Sequence, residues 1–218
     1  WNIWKTGMKP LFADRQEFGC DWVPYGPQTE VNEANNGTAT INMCVHPEHD
    51  LLSNTIREKG SWGDCQSVAK QWHASTSSTN HSDTAGSFHI EIGANIGACV
   101  MELLLTTNAN IVAFEPHPKN LFCLTSTLAA ASKEFAKRVT VFPVALGTAP
   151  SQMTLEVEQR GNLGSSRILS STTSTSQTKD QFHKTETIQV ERLDDLIEGT
   201  SKLMKLDAQG FECNIVDG

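Results

Sequence analysis

"SFHIEIGANIGACVMELLLTTNANIVAFEPHPKN", residues 87–120, decides how the rest of the chain is read. The run Phe88 to Ile92 enters a turn at Gly93, "IGACVMELLLTT" reads as an apolar helix from about Gly97, and "NIVAFEP" is a second apolar run stopped by Pro116. Strand, glycine turn, helix and strand in that order predict parallel strands joined by a right-handed crossover. Two acids interrupt the apolar texture. Glu91 lies two residues before Gly93, and Glu115 closes the second run, eighteen residues beyond Gly97. Ligands of open parallel sheets sit beyond the carboxyl ends of the strands, so both acids are expected to face one.

The pattern continues in both directions. "PKNLFCLTSTLAAASKEFAKR" predicts one long helix with Leu121, Leu124 and Leu128 on one face and Pro118 near its start, and "VTVFPVAL" a third strand. After Gly147, "QMTLEVEQ" and "ETIQVERL" read as antiparallel strands around the turn-rich "RGNLGSS" and the low-complexity "SSTTSTSQTKD". "KLMKLDAQGFECNIVDG" predicts a buried strand from Leu203 to Leu206, then a loop and the start of a helix. Upstream, residues 1–45 lack periodicity and read as an irregular extension. Residues 46–86 read as a helical cap and linker, with one helix from Asp50 to Lys59 closed by Gly60 and another capped by Asp64. Residues 87–218 form the main domain. A doubly wound sheet needs more strands than this, so the C-terminal ones are expected to be missing. A start at Trp1 rather than Met leads to the expectation that something lies upstream, a signal peptide or an anchor being one option that the sequence does not decide.

Bulk composition narrows the function classes. At 38% hydrophobic residues the chain can bury a core, and a formal charge of −8 argues against a general nucleic-acid binder. No apolar run reaches the roughly 18 residues of a membrane span. Six cysteines are present. Cys99, Cys123 and Cys213 read as buried small hydrophobes, whereas Cys20, Cys44 and Cys65 fall where a bridge is expected, Cys44–Cys65 being the one considered. Cys44, His46, His49 and Cys65 invite a zinc reading, but the spacing fits no firm pattern and no metal is expected. The sequons Asn36-Gly37-Thr38 and Asn80-His81-Ser82 leave localisation open between a secretory lumen or secretion and the cytoplasm, since such triplets often arise by chance.

The turn "GANIG" is not G-x-G-x-x-G, so the pyrophosphate fingerprint of a dinucleotide site is absent. S-adenosylmethionine carries no phosphate; it needs a turn for its methionine end and an acid for its ribose, which Glu115 can supply. Glu91 is expected to pin the turn's backbone N–H groups or to meet a ligand ammonium. Gly93 is expected to give the tight turn, and Gly97 to let the helix approach the ligand.

"IEIGANIGACV", "IVAFEPHPKN", "VFPVALG" and "LMKLDAQGFE", with "RGNLGSS" and "ERLDDL" between the last two, resemble the FkbM family of S-adenosylmethionine-dependent methyltransferases. The resemblance spans roughly Cys44 to Gly218 and departs at Glu91, where the family commonly has Asp. It implies a Rossmann-like class I methyltransferase fold: α/β, a mostly parallel sheet with helices on both faces, and an inserted β-hairpin. It further implies methylation of a hydroxyl on a carbohydrate or another small polar acceptor. The cofactor residues it implies are Glu91, Gly93, Asn95, Gly97 and Glu115, with Val144 and Ala145 bordering the adenine. Asn120 holds the "EPHP" turn rather than the cofactor.

Methyl transfer is an in-line displacement, so the protein aligns the acceptor and takes its proton. Asp207 is expected to position the acceptor or act as base, with Glu212 assisting; the competing reading has Asp207 capping the helix that follows. His89 and His117 read mainly as bystanders, and Lys205 as a partner for an acid. Asn162, Ser165 and Ser166 read as loop polarity or acceptor contacts, and Trp62 and Trp72 as buried or sugar-stacking. Two other functions remain open: a binding domain for a glycan or protein that keeps the fold without transfer, and a nucleotide-dependent oxidoreductase.

Overall fold

A computed structural model describes residues 2–27, 39–77, 87–158, 164, 166–169 and 182–218. Both sequons, Asn162, Ser165 and the low-complexity run lie outside the described residues. In chain order the elements are β1 (Asp21–Tyr25), β2 (Ile41–Val45), α1 (Leu51–Lys59), α2 (Gly63–Ser77), β3 (Phe88–Ile92), α3 (Ala98–Thr106), β4 (Asn110–Phe114), α4 (Pro118–Ala130) and α5 (Lys133–Ala136). They continue with β5 (Val139–Phe142), β6 (Ala145–Leu146), β7 (Ser151–Glu158), β8 (Arg167–Leu169), β9 (Phe182–Glu191), α6 (Leu193–Leu196), β10 (Ser201–Leu206) and α7 (Glu212–Val216).

The central sheet is parallel throughout, in the order β10-β3-β4-β5. The chain winds outward from β3 to β5 and returns to place β10 on the other side of β3, so the direction of winding reverses between β3 and β10. Side chains alternate across the sheet. Ile111, Ala113, Val139 and Val141 pack under α2, α3 and α4, while Ile90, Ile92, Phe114 and Phe142 face α6 and α7. The result is a mixed α/β protein whose parallel sheet is flanked by helices, consistent with a Rossmann-like fold.

The period-two alternation also explains the acids. His89 and Glu91 point to the face covered by α2 and α3, where Trp72 stands edge-on to His89. Lys205 of β10 is in register with Glu91 and shares that face.

Several expectations are corrected. The third strand is two: Pro143 has no N–H to extend the ladder, so β5 stops at Phe142 and β6 joins a second sheet, β6-β9-β7-β8. There β6 runs parallel to β9, and β7 lies antiparallel to both β8 and β9. The long helix is also two, because Ser132 caps a fresh start with its hydroxyl near Phe135 N. Asp64 lies inside the first turn of α2 rather than capping it. β10 is only half-buried, with Met204 exposed. The α1 reading holds: Asp50 caps through Ser53 N, and Gly60 ends the helix in the left-handed conformation.

The segment that lacked periodicity contains the antiparallel pair β1 and β2. Trp4, fully buried, makes an antiparallel bridge to Val141 on the outer strand of the central sheet, with N···O distances of 2.9 and 3.1 Å. The cysteine reading is corrected too: the bridges are Cys20–Cys44 and Cys65–Cys99, so Cys44 and Cys65 take different partners, and Cys99 is not a thiol. Neither Cys44 nor Cys65 is then available as a zinc-binding thiolate. Cys123 is free and buried; Cys213 is free but exposed. The second bridge joins α2 to the first turn of α3, and Tyr25 Oη donates to the buried Glu102 of α3 at 3.1 Å. Among the described residues no helix is long and apolar enough to cross a membrane.

Candidate active site

A cavity of about 240 Å³ opens at the carboxyl ends of β3, β4 and β10, beside the point where the winding reverses. Its wall includes Glu91, Gly93, Asn95, Glu115, Val144, Ala145 and Asp207. Gly97 and Glu212 are not part of it.

The glycine turn is built by satisfying its own N–H groups. Gly93 N and Ala94 N both donate to Phe114 O at 3.0 Å. Asn95 N donates to Glu115 Oε2 at 2.7 Å, Ile96 N to Asn95 Oδ1 at 2.7 Å, and Gly97 N to Ala94 O at 2.9 Å. All five N–H groups from Gly93 to Gly97 therefore have acceptors within the protein. A diphosphate needs free N–H groups at such a turn, and this turn keeps none for it.

The glycines are needed for packing. At Gly93 φ is +76°, and a Cβ there would stand 1.9 Å from the Asp207 carbonyl oxygen. Gly97, at φ +93°, would drive a Cβ to 2.4 Å from Leu124 Cδ1. It lets α3 seat against α4, and it is not itself part of the cavity wall. Asn95 has φ +52°, a left-handed conformation that Asn tolerates better than most residues.

Glu115 joins the two strand ends. Oε2 accepts from Asn95 N, and Oε1 accepts from His117 N at 2.9 Å and Asn120 Nδ2 at 3.4 Å. Burial raises its carboxyl to about 6, against the pull of the His117, Asn95 and Asn120 donors and of Lys205. Each carboxylate oxygen can accept more than one hydrogen bond, so acceptor capacity remains towards the cavity. His117 caps α4 by accepting from Asn120 N at 3.3 Å, and burial lowers its imidazole to about 3. Asn120 holds the turn, as expected.

Glu91 does not pin the turn. One oxygen is 3.0 Å from Lys205 Nζ and the other 2.8 Å from His89 Nε2. His89 is fully buried, and its Nδ1 has no hydrogen-bond partner among the described residues. Burial works against the charge on Lys205, but Glu91 and Asp207 outweigh it and hold the ammonium above its ordinary value.

At the end of β10 the hold is looser. Asp207 is half-exposed; its Oδ2 is 3.7 Å from Lys205 Nζ, and its Oδ1 accepts from Gln209 Nε2 at 2.7 Å. It does not cap α7 (Glu212–Val216), whose N-cap residue is Phe211 and makes no side-chain cap hydrogen bond. Glu212 folds back on the turn, accepting from Ala208 N at 2.9 Å and Gly210 N at 3.2 Å.

Leu51, Leu52 and Asp64, which sequence reasoning missed as site residues, form a further wall with Trp62, contributed by α1 and the start of α2. The only signal was an apolar Leu pair beside a helix cap, which does not reveal a distant partner. Trp62 thus borders the cavity, Trp72 is buried, and Ser166 also borders the cavity. Among the described residues no cluster of His, Cys, Asp or Glu is arranged to hold a metal ion.

No curated protein and no solved structure gives a significant match to the chain. The family model described as "Methyltransferase FkbM domain" matches residues 91–218, which include both strand ends, the Asp207 turn and the cavity acids Glu91, Glu115 and Asp207. With more than half its length covered, the chain belongs to the FkbM methyltransferase family.

Proposed function

We propose that the protein transfers a methyl group from S-adenosylmethionine to a hydroxyl oxygen of a carbohydrate or another small polar acceptor. One observation carries the reading: a turn whose N–H groups are all internally satisfied, closed by a carboxylate that borders a cavity. That arrangement suits a cationic nucleoside without phosphate and suits a dinucleotide poorly. Glu115 would accept from the ribose hydroxyls, Asn95 and Gly93 would shape the methionine end, and Val144 and Ala145 would flank the adenine. Glu91, held by His89 and Lys205, would place negative charge near the cationic end. S-adenosylmethionine, when bound, supplies an activated methyl on a sulfonium sulfur.

The chain's own task is then alignment and proton removal. Asp207 faces the cavity, is half-exposed and lacks a capping role, which favours it as the group that orients the acceptor hydroxyl or takes its proton. Lys205 lies close enough to steady it. Glu212 would act through the turn, fixing the backbone on which Asp207 sits.

The class I fold with an inserted hairpin, and the division into an extension (1–45), a helical cap (46–86) and a methyltransferase domain (87–218), belong to the same proposal. Two bridges among the described residues favour an oxidising compartment.

Calorimetry with S-adenosylhomocysteine and, separately, NADH is the first test: binding of the former and not the latter is expected, and the reverse would overturn the reading. Labelled methyl donor offered with a panel of sugars then distinguishes an enzyme from a domain that only binds.

A further inference from the structure

The family match begins at residue 91, yet a side chain from outside it bonds to Asn120, which in turn donates to the carboxylate at the cavity. His46 follows β2 directly and is fully buried, with Nε2 2.9 Å from Asn120 Oδ1. The other end of the same amide, Asn120 Nδ2, is 3.4 Å from Glu115 Oε1. A carboxylate accepts, so the amide must turn its NH2 towards Glu115 and its oxygen towards His46. His46 therefore carries its proton on Nε2, and Nδ1 is left as an acceptor. Cys123 Sγ lies 3.5 Å from that Nδ1. Burial pushes the thiol up, so it keeps its proton to donate. Burial also lowers His46, against the pull of Asn120, Asp50 and Glu48 and with the help of Lys119, which keeps the ring neutral. Donors and acceptors run in one direction: Cys123 to His46, His46 to Asn120, Asn120 to Glu115.

We propose that His46 is a positioning residue of the cofactor site, fixing the Asn120 amide so that Glu115 stays oriented for the ribose hydroxyls. The proposal rests on the S-adenosylmethionine reading only for the identity of the ligand. The bond from Asn120 N to His117 fixes the main chain but not the amide. Without His46, Asn120 Oδ1 would be buried with no donor, and the amide could turn its oxygen against the carboxylate. His46 is itself anchored, because its N donates to Ser53 Oγ at 3.2 Å and Cys44, two residues earlier, is bridged to Cys20.

Two readouts test this, one of them independent of any ligand. In protein carrying carbon-13 glutamate, NMR follows the titration of Glu115, expected near 6 in the wild type. His46→Leu should raise that midpoint and weaken S-adenosylhomocysteine binding by about tenfold or more, the loss of one hydrogen bond to a charged group. His46→Gln keeps a donor for Asn120 Oδ1 and should return both towards wild type. In an Asn120→Leu background, His46→Leu should add nothing further. If H46L fails to fold, His46→Asn, polar but too short to reach Asn120, replaces it with the same expectations. The proposal is overturned if H46L leaves the Glu115 midpoint unmoved, or if H46Q is as impaired as H46L. If the wild type does not bind S-adenosylhomocysteine, the cofactor reading falls while the titration still decides the role of His46.

Discussion

Backbone N–H groups hold the ends of β3 and β4; β10 is also tied to β3 by a main-chain bond, Asp207 N to Ile92 O at 3.1 Å, but the turn beyond it is held by side chains. At the first pair, Gly93, Ala94 and Asn95 donate into Phe114 and Glu115, and the carboxylate that ties them is buried. At the second, Gln209 and Glu212 brace a turn whose Asp207 is half-exposed. Main-chain bonds between strand ends leave little freedom, while side-chain braces can rearrange around an occupant. The contrast fits the proposed function, in which the rigid turn would seat the cofactor and the looser one would receive the acceptor.

The largest effect should come from Gly93→Ala. A Cβ 1.9 Å from the Asp207 carbonyl oxygen, in a left-handed backbone, combines overpacking and strain for a loss of about 3–5 kcal/mol in urea unfolding. A loss under about 1 kcal/mol would show that the two strand ends are not rigidly joined. Next comes Asp207→Asn, which should lower turnover by about 100-fold or more while changing S-adenosylhomocysteine affinity little. Full turnover would move the base elsewhere and remove the functional half of the contrast.

Third is a pH effect at Glu115. Its folded value, about 6, lies above the ordinary 4.5, so the folded state binds the proton more tightly than the unfolded state does. The stability it contributes is complete below the ordinary value and is lost as pH rises through about 6, some ~2 kcal/mol in all. Glu115→Gln should remove that loss from the stability-versus-pH curve, read as the difference from wild type between pH 4 and pH 7 (approximate working limits). Over the same range, wild-type affinity for S-adenosylhomocysteine should rise as the carboxylate ionises. A flat difference curve would mean that burial does not burden this carboxyl. The smallest effect is Gly210→Ala in the β10 turn: it is also left-handed but has open space around it, so only the strain of about 1–2 kcal/mol is expected.

What the sequence revealed was local or periodic. Asp50 and Gly60 bound α1 because a cap and a left-handed stop depend on neighbours in the chain. The strand, turn and helix order of residues 88–114 is periodic and is found in the structure. The break at Pro143 was also local, and its missing N–H was the signal passed over. What was hidden is non-local. Cys65 meets Cys99 across 34 residues of chain, and no spacing rule selects that partner over Cys44. Glu115 was expected to face the ligand, but its bond to Asn95 N, which closes the turn to phosphate, depends on β4 lying beside β3 in register. His46 reaches Asn120 only because β2 packs on α4.

The bridge between Trp4 and Val141 bears on how the protein can be cut for laboratory use. An expression clone trimmed to residues 87–218, which keeps β3 whole, would bare the Val141 amide and carbonyl on the outermost strand of the sheet, an invitation to pair with a sister molecule. Sedimentation of such a truncated preparation should reveal multimers, and any weak activity it showed would understate what the longer chain can do.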